Sequence, residues 1–142
     1  MQSNAQNNTG NTIPETPKHS VNLNAEAKFG LGSALGYVTV GGDYTYRTAV
    51  HFADSNAEPA FLLDQSKFDG IVNLHTSWNS PSDQWHVALF ASNLTDRRTV
   101  VYATDVSGFY LTPAEAASTA NRIYSVVRTP SRLVGLTVKR EF

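Results

Sequence analysis

Cysteine is absent from the 142 residues, which excludes a disulfide scaffold, a thiolate zinc site and a cysteine nucleophile. Charge is scarce as well. Asp, Glu, Lys and Arg make up 16% of the chain, against roughly 25% in ordinary soluble domains. The two signs nearly cancel at a net charge of -1, so no basic footprint favours nucleic acid. Long apolar runs are missing too: nothing approaches the roughly 18 consecutive apolar residues of a membrane helix. The mean hydropathy of -0.27 would suit a soluble protein, but it does not discriminate where strands alternate apolar and polar residues.

Chemical motifs are equally sparse. There is no G-x-S-x-G elbow and no H-E-x-x-H helix, so catalysis has no support and no enzyme activity is expected. Gly30 and Gly32 lack the third glycine and the strand–helix setting of a dinucleotide site. His75 and His86 fall on the same side of neighbouring strands, but a metal needs at least one more ligand, and none is evident. No cofactor or metal is expected.

What the chain does have is a period of two. Val21, Leu23, Ala25, Ala27 and Phe29 alternate with Asn22, Asn24, Glu26 and Lys28, the signature of a half-buried strand. A second strand is expected over 35–49, with Val38, Val40, Tyr44 and Tyr46 on one face. A third spans 68–78, with Phe68, Val72, Leu74 and Trp78 together, and a fourth 85–92, with Trp85, Val87, Leu89 and Ala91 together. The last covers 131–142, where Val134, Leu136, Val138 and Phe142 share a face that Arg140 interrupts. Short turns at 30–34 and 79–84 alternate with longer stretches at 51–65 and 95–128 that read as loops. Within the longest, Thr112-Pro113-Ala114-Glu115 is a helix start with a capping box and a proline at the first helical position, which places a short helix over 114–121. Residues 1–16, rich in Asn, Gln, Thr and Gly, read as loop.

Short turns at one end and long loops at the other are the layout of a bacterial membrane barrel; a soluble sandwich more often has comparable loops at both ends. No second sheet or long amphipathic helix is expected to cover all the apolar faces, whereas lipid could cover them. Trp78 and Trp85 flank one turn on the apolar side, the place of an interfacial girdle. Two Trp residues packed in a sandwich core are the competing reading.

Four stretches, in order, resemble TonB-dependent outer-membrane receptors. Pro14-Glu15-Thr16-Pro17-Lys18-His19-Ser20-Val21-Asn22-Leu23 is similar to the lead-in to a late barrel strand, and Gly42-Asp43-Tyr44-Thr45-Tyr46-Arg47 to the strand that follows. Trp85-His86-Val87-Ala88-Leu89-Phe90-Ala91-Ser92-Asn93-Leu94-Thr95-Asp96 is similar to the penultimate strand, and Pro130-Ser131-Arg132-Leu133-Val134-Gly135, running on to Phe142, to the closing one. Arg140, where an aromatic or apolar residue is usual, and the inserted Ser131 depart from that pattern.

The resemblance implies an all-β fold: an antiparallel meander of about five strands, the last part of a large transmembrane β-barrel of about 22 strands, with a short helix in the longest loop. Residues 1–16 would be an extracellular loop and 17–142 the closing strands. The opening residues lack the basic and apolar segments of a signal peptide, so the plug domain and earlier strands are expected upstream. The resemblance further implies residence in a Gram-negative outer membrane and uptake of a scarce ligand such as an iron–siderophore complex. The implied partners are outer-membrane lipid, the barrel assembly machinery, TonB through the upstream segment, and a small-molecule ligand. Val134, Leu136, Val138 and Phe142 would form the assembly signal. Tyr102, Phe109, Tyr110 and Tyr124, in the longest loop, would be candidates for ligand contact, with loop packing as the alternative. Arg97 and Arg98 at the start of that loop are either an anion lure or a solvated loop start. A soluble β-sandwich binding module and an inert truncated product are the rival readings.

Overall fold

The computed structural model describes residues 7–116, 118 and 121–142. The chain is mostly β. In order it forms β1 (Ser20–Gly30), β2 (Tyr37–Arg47), α1 (Ala60–Gln65), β3 (Phe68–Asn79), β4 (Trp85–Ser92), β5 (Val100–Asp105), α2 (Ser107–Tyr110), α3 (Pro113–Ala116), β6 (Tyr124–Arg128) and β7 (Leu133–Arg140). These elements fall into two compact units.

One unit holds Ser20–Tyr46, Asp69–Arg97 and Pro130–Phe142. It is a five-stranded antiparallel sheet in the order β1-β2-β3-β4-β7, and it is open. All five strands lie where the alternation places them, with ends shifted by a few residues. The turn before β4 is held by Asp83 N–H donating to the Ser80 carbonyl at 3.0 Å and Trp85 N–H donating to Ser80 Oγ at 3.0 Å. The β3–β4 register pairs Leu74 with Ala91, Thr76 with Leu89 and Trp78 with Val87. The β4–β7 register continues the same face, pairing Ala91 with Val134, Leu89 with Leu136, Val87 with Val138 and Trp85 with Arg140. Paired residues in an antiparallel ladder point the same way, so the apolar residues of three strands merge into one surface.

Two glycines let bulky side chains lie flat on the opposite, more polar face. A Cβ at Gly41 would come within 2.6 Å of the His75 ring, and one at Gly135 within 2.4 Å of the Phe90 ring. Phe90 and Gly135 are register partners, so the ring covers the bare backbone of its neighbour.

The other unit holds Met1–His19, Arg47–Phe68 and Arg98–Thr129. Here the sequence reading needs correction. The segment 95–128 is not a loop with one helix: β5 and β6 pair as an antiparallel hairpin, with Tyr102 opposite Val127 and Thr104 opposite Ser125. The short α2 lies between those strands. An irregularity between Val100 and Tyr102 shifts the register, which hides the period of two. The segment 51–65 likewise contains α1, six residues that are too few to show a helical period. The second sheet, which the sequence did not suggest, therefore exists, with two strands. The helix expected over 114–121 is present as Pro113–Ala116, and residues 117, 119 and 120 lie outside the described residues. Its capping box forms as read: Glu115 N–H donates to Thr112 Oγ1 at 3.4 Å and Thr112 N–H to Glu115 Oε2 at 2.8 Å.

Leu62 of α1 packs with Val100 and Ala103 of β5, flanked by Phe52 and Tyr124. Ser66 is also fully buried. Its hydroxyl accepts from Val50 N–H at 2.8 Å and lies 2.7 Å from the Leu63 carbonyl, so burying it leaves no polar group unsatisfied.

Candidate functional site

The sheet presents its apolar side without cover. Val134, Leu136 and Val138 are 59%, 66% and 57% exposed, and Leu23, Phe29, Val40, Leu74 and Leu89 are exposed too. Among the described residues of this unit, no hydrophobic side chain is buried. The period of two would normally mark one face packed on protein; here that face is a continuous apolar surface. Trp78 and Trp85 sit at one end of it, on the same side, flanking the short turn as the sequence reading places them. Trp78 Nε1 donates to the Leu35 carbonyl at 2.7 Å, so its polar edge is satisfied while the ring joins the surface.

Phe142 departs from expectation in one respect. β7 ends at Arg140, so Phe142 lies past the ladder, fully exposed. Its ring stacks against Arg140, whose guanidinium carbon is 4.7 Å from the centroid.

The Asn-Leu-Thr-Asp stretch after β4 has a structural role that spacing alone does not reveal. Asn93 adopts φ 49°, and its side chain donates to the carbonyls of Arg97 at 2.9 Å and Pro130 at 2.8 Å while accepting from Arg97 N–H at 3.0 Å. Thr95 Oγ1 donates to the Gly70 carbonyl at 2.9 Å, and Asp96 Oδ1 accepts from Arg132 N–H at 2.8 Å. The motif ties off β4 and fixes the lead-in to β7. Arg97 is drawn into this knot through its backbone.

In the other unit, Tyr102 and Tyr124 line one depression of about 300 Å³, together with Phe52, Glu58, Asp105 and Arg122. Phe109 and Tyr110 do not join them: both lie on α2, 86% and 73% exposed. The structure thus unites two of the four aromatics singled out in this stretch. Glu58, Asp105 and Arg122 were not foreseen, because their roles depend on backbone partners and on pairing across the hairpin. The Glu58 carboxylate accepts from the N–H groups of Phe52 and Ala53 and meets His51 Nδ1 at 3.1 Å. Burial pushes its pKa up, but the bonds from His51 and from the backbone outweigh burial and leave it below the ordinary carboxylate value. Asp105 is also held below its usual value, by hydrogen bonds from the Ser107 side chain and backbone, and lies 3.7 Å from Arg122 Nε. Rings beside a paired acid and base can grip a ligand that is partly planar and partly polar.

On the polar side of the sheet, His75 meets Glu26 at 3.2 Å and His86 meets Asn79 at 2.8 Å. Asn73 Nδ2 donates to Asp43 at 2.7 Å. Each histidine has its own partner, and among the described residues there is no group of three or more metal-ligating side chains. No family model, curated protein or solved structure matches this chain.

Proposed function

We propose that the five-stranded sheet is part of the wall of a transmembrane β-barrel of the TonB-dependent receptor type, which serves uptake of a scarce ligand across a Gram-negative outer membrane. The observation that carries this reading is the bare apolar face. An ordered ladder that exposes Leu136, Val134, Leu89 and Leu74 on one side and sets His75, Glu26, Asn73 and Asp43 on the other suits lipid outside and a wet lumen inside. A sandwich closing on itself would bury those leucines and valines.

In this reading the short turns face the periplasm and the long insertions face outward. Trp78 and Trp85 lie at headgroup height. Acyl chains cover Val134, Leu136 and Val138, and Phe142 belongs to the terminal signal read by the assembly machinery. The depression beside Tyr102 and Tyr124 is the candidate ligand contact on the outward side. TonB acts through an upstream segment. The chain's part is to wall the lumen.

The test is to refold the 142-residue chain with and without phospholipid vesicles whose acyl chains carry bromine. Aggregation in buffer, with strand-type circular dichroism and quenched tryptophan emission in vesicles, is the expected result. A monodisperse monomer in plain buffer, melting cooperatively and left unquenched by the vesicles, would sink the proposal.

A further inference from the structure

Arg140 stands out on the apolar face. Every other residue that the five strands place on that side is uncharged. Its register partner is Trp85, so guanidinium and indole leave the sheet together, at the end marked by the short Ser80–Asp83 turn. The guanidinium carbon lies 5.1 Å from the Trp85 centroid and 4.7 Å from that of Phe142. Stacking on rings occupies the faces of the guanidinium and leaves its N–H edge for a ligand. Among the described residues Arg140 has no acidic partner. The neighbouring Lys139 points to the opposite face and is neutralised by Glu141 at 2.5 Å.

One cation at the rim of an otherwise apolar surface is complementary to an amphiphile with one anionic head and an apolar tail. Acyl chains would lie along Val138, Leu136 and Val87, and the head would meet the planar fork of N–H donors that suits a phosphate. An acidic peptide would satisfy the charge but leave the apolar surface bare. We propose that Arg140, braced between Trp85 and Phe142, binds the phosphate of an anionic phospholipid at the membrane interface. The inference rests on the membrane reading given above and adds a lipid preference to it.

The experiment compares binding of the 142-residue chain to vesicles of phosphatidylcholine alone and of phosphatidylcholine mixed with phosphatidylglycerol, for the parent and for Arg140→Gln, Arg140→Lys and Lys139→Gln. Circular dichroism in the vesicles checks that each variant keeps its strands. The parent should favour the anionic vesicles. Arg140→Gln should lose about fivefold of that preference, Arg140→Lys should keep part of it, and Lys139→Gln should keep all of it. An undiminished preference in Arg140→Gln, or an equal loss in Lys139→Gln, overturns the site and leaves only general charge attraction. Inorganic phosphate that abolishes the preference at constant ionic strength overturns the lipid assignment in favour of a free-phosphate site. Failure to bind either vesicle sinks the membrane reading, and this inference with it. Binding to both without preference sinks this inference alone.

Discussion

The two units solve the same problem in opposite ways. The smaller elements gather around Leu62, Val100 and Ala103, a compact core beside which the Ser66 hydroxyl is fully hydrogen-bonded. The five-stranded sheet has the longer and more regular ladder, yet among its described residues it encloses no hydrophobic side chain. Hydrogen bonding alone contributes little net stability in water, and apolar area left exposed contributes none of the burial that normally drives folding. Regularity without a core is what the membrane reading proposed above would explain. One unit is organised around a buried core; among its described residues the other buries no hydrophobic side chain and is held by its ladder.

Matched truncations can break the comparison. Leu62→Ala should cost roughly 2–5 kcal/mol, the range for a fully buried leucine. Leu136→Ala, on the bare face, should cost less in the same vesicle-bound chain, because fluid acyl chains close over the gap and leave no cavity. Amide exchange in β5 for the first and in β7 for the second reads the two outcomes, and equal losses would show that the sheet has a hidden core. Leu89→Arg sharpens the contrast further. In a bilayer a charge on the lipid side should cost roughly 2–4 kcal/mol near the midplane, measured by urea titration of the vesicle-bound chain, and no loss there would mean that lipid does not cover Leu89.

Smaller effects follow from the polar knots of each unit. Asn93→Ala removes the bonds to Arg97 and Pro130 and should cost about 1–3 kcal/mol, seen as faster exchange at the ends of β4 and β7. Glu58→Gln should cost about 1 kcal/mol and should also change the acid response of the 52–58 turn. The native pKa of Glu58 lies below its reference value of 4.5. Its stabilisation is therefore complete above that reference and fades as the pH falls through the native value. The amide shifts of Phe52 and Ala53, followed from neutral to acid, should move with that titration in the parent and stay flat in Glu58→Gln.

The sheet was legible because a surface that divides two environments writes a period of two into each strand; Val21 to Phe29 and Trp85 to Ala91 are clear examples. The β5–β6 hairpin was not, because Val100-Val101 and Val126-Val127 run together and a register shift breaks the phase. Six residues of α1 likewise give no helical period. Thr112 and Glu115 were legible since a capping box is a local pattern. Glu58 was not, for its partners include backbone N–H groups that no residue type announces. The Asn93 knot showed itself as a motif, but the role of each side chain depends on Gly70, Pro130 and Arg132, distant in sequence.

The glycines beneath His75 and Phe90 carry a consequence for how this chain can diverge. Each ring occupies the volume that a side chain at the glycine would need, so a side chain there obliges the ring to swing aside or shrink. Among descendants of this sequence, a larger residue at Gly135 should coincide with a smaller or re-oriented side chain at Phe90, and one at Gly41 with a replaced or re-oriented His75.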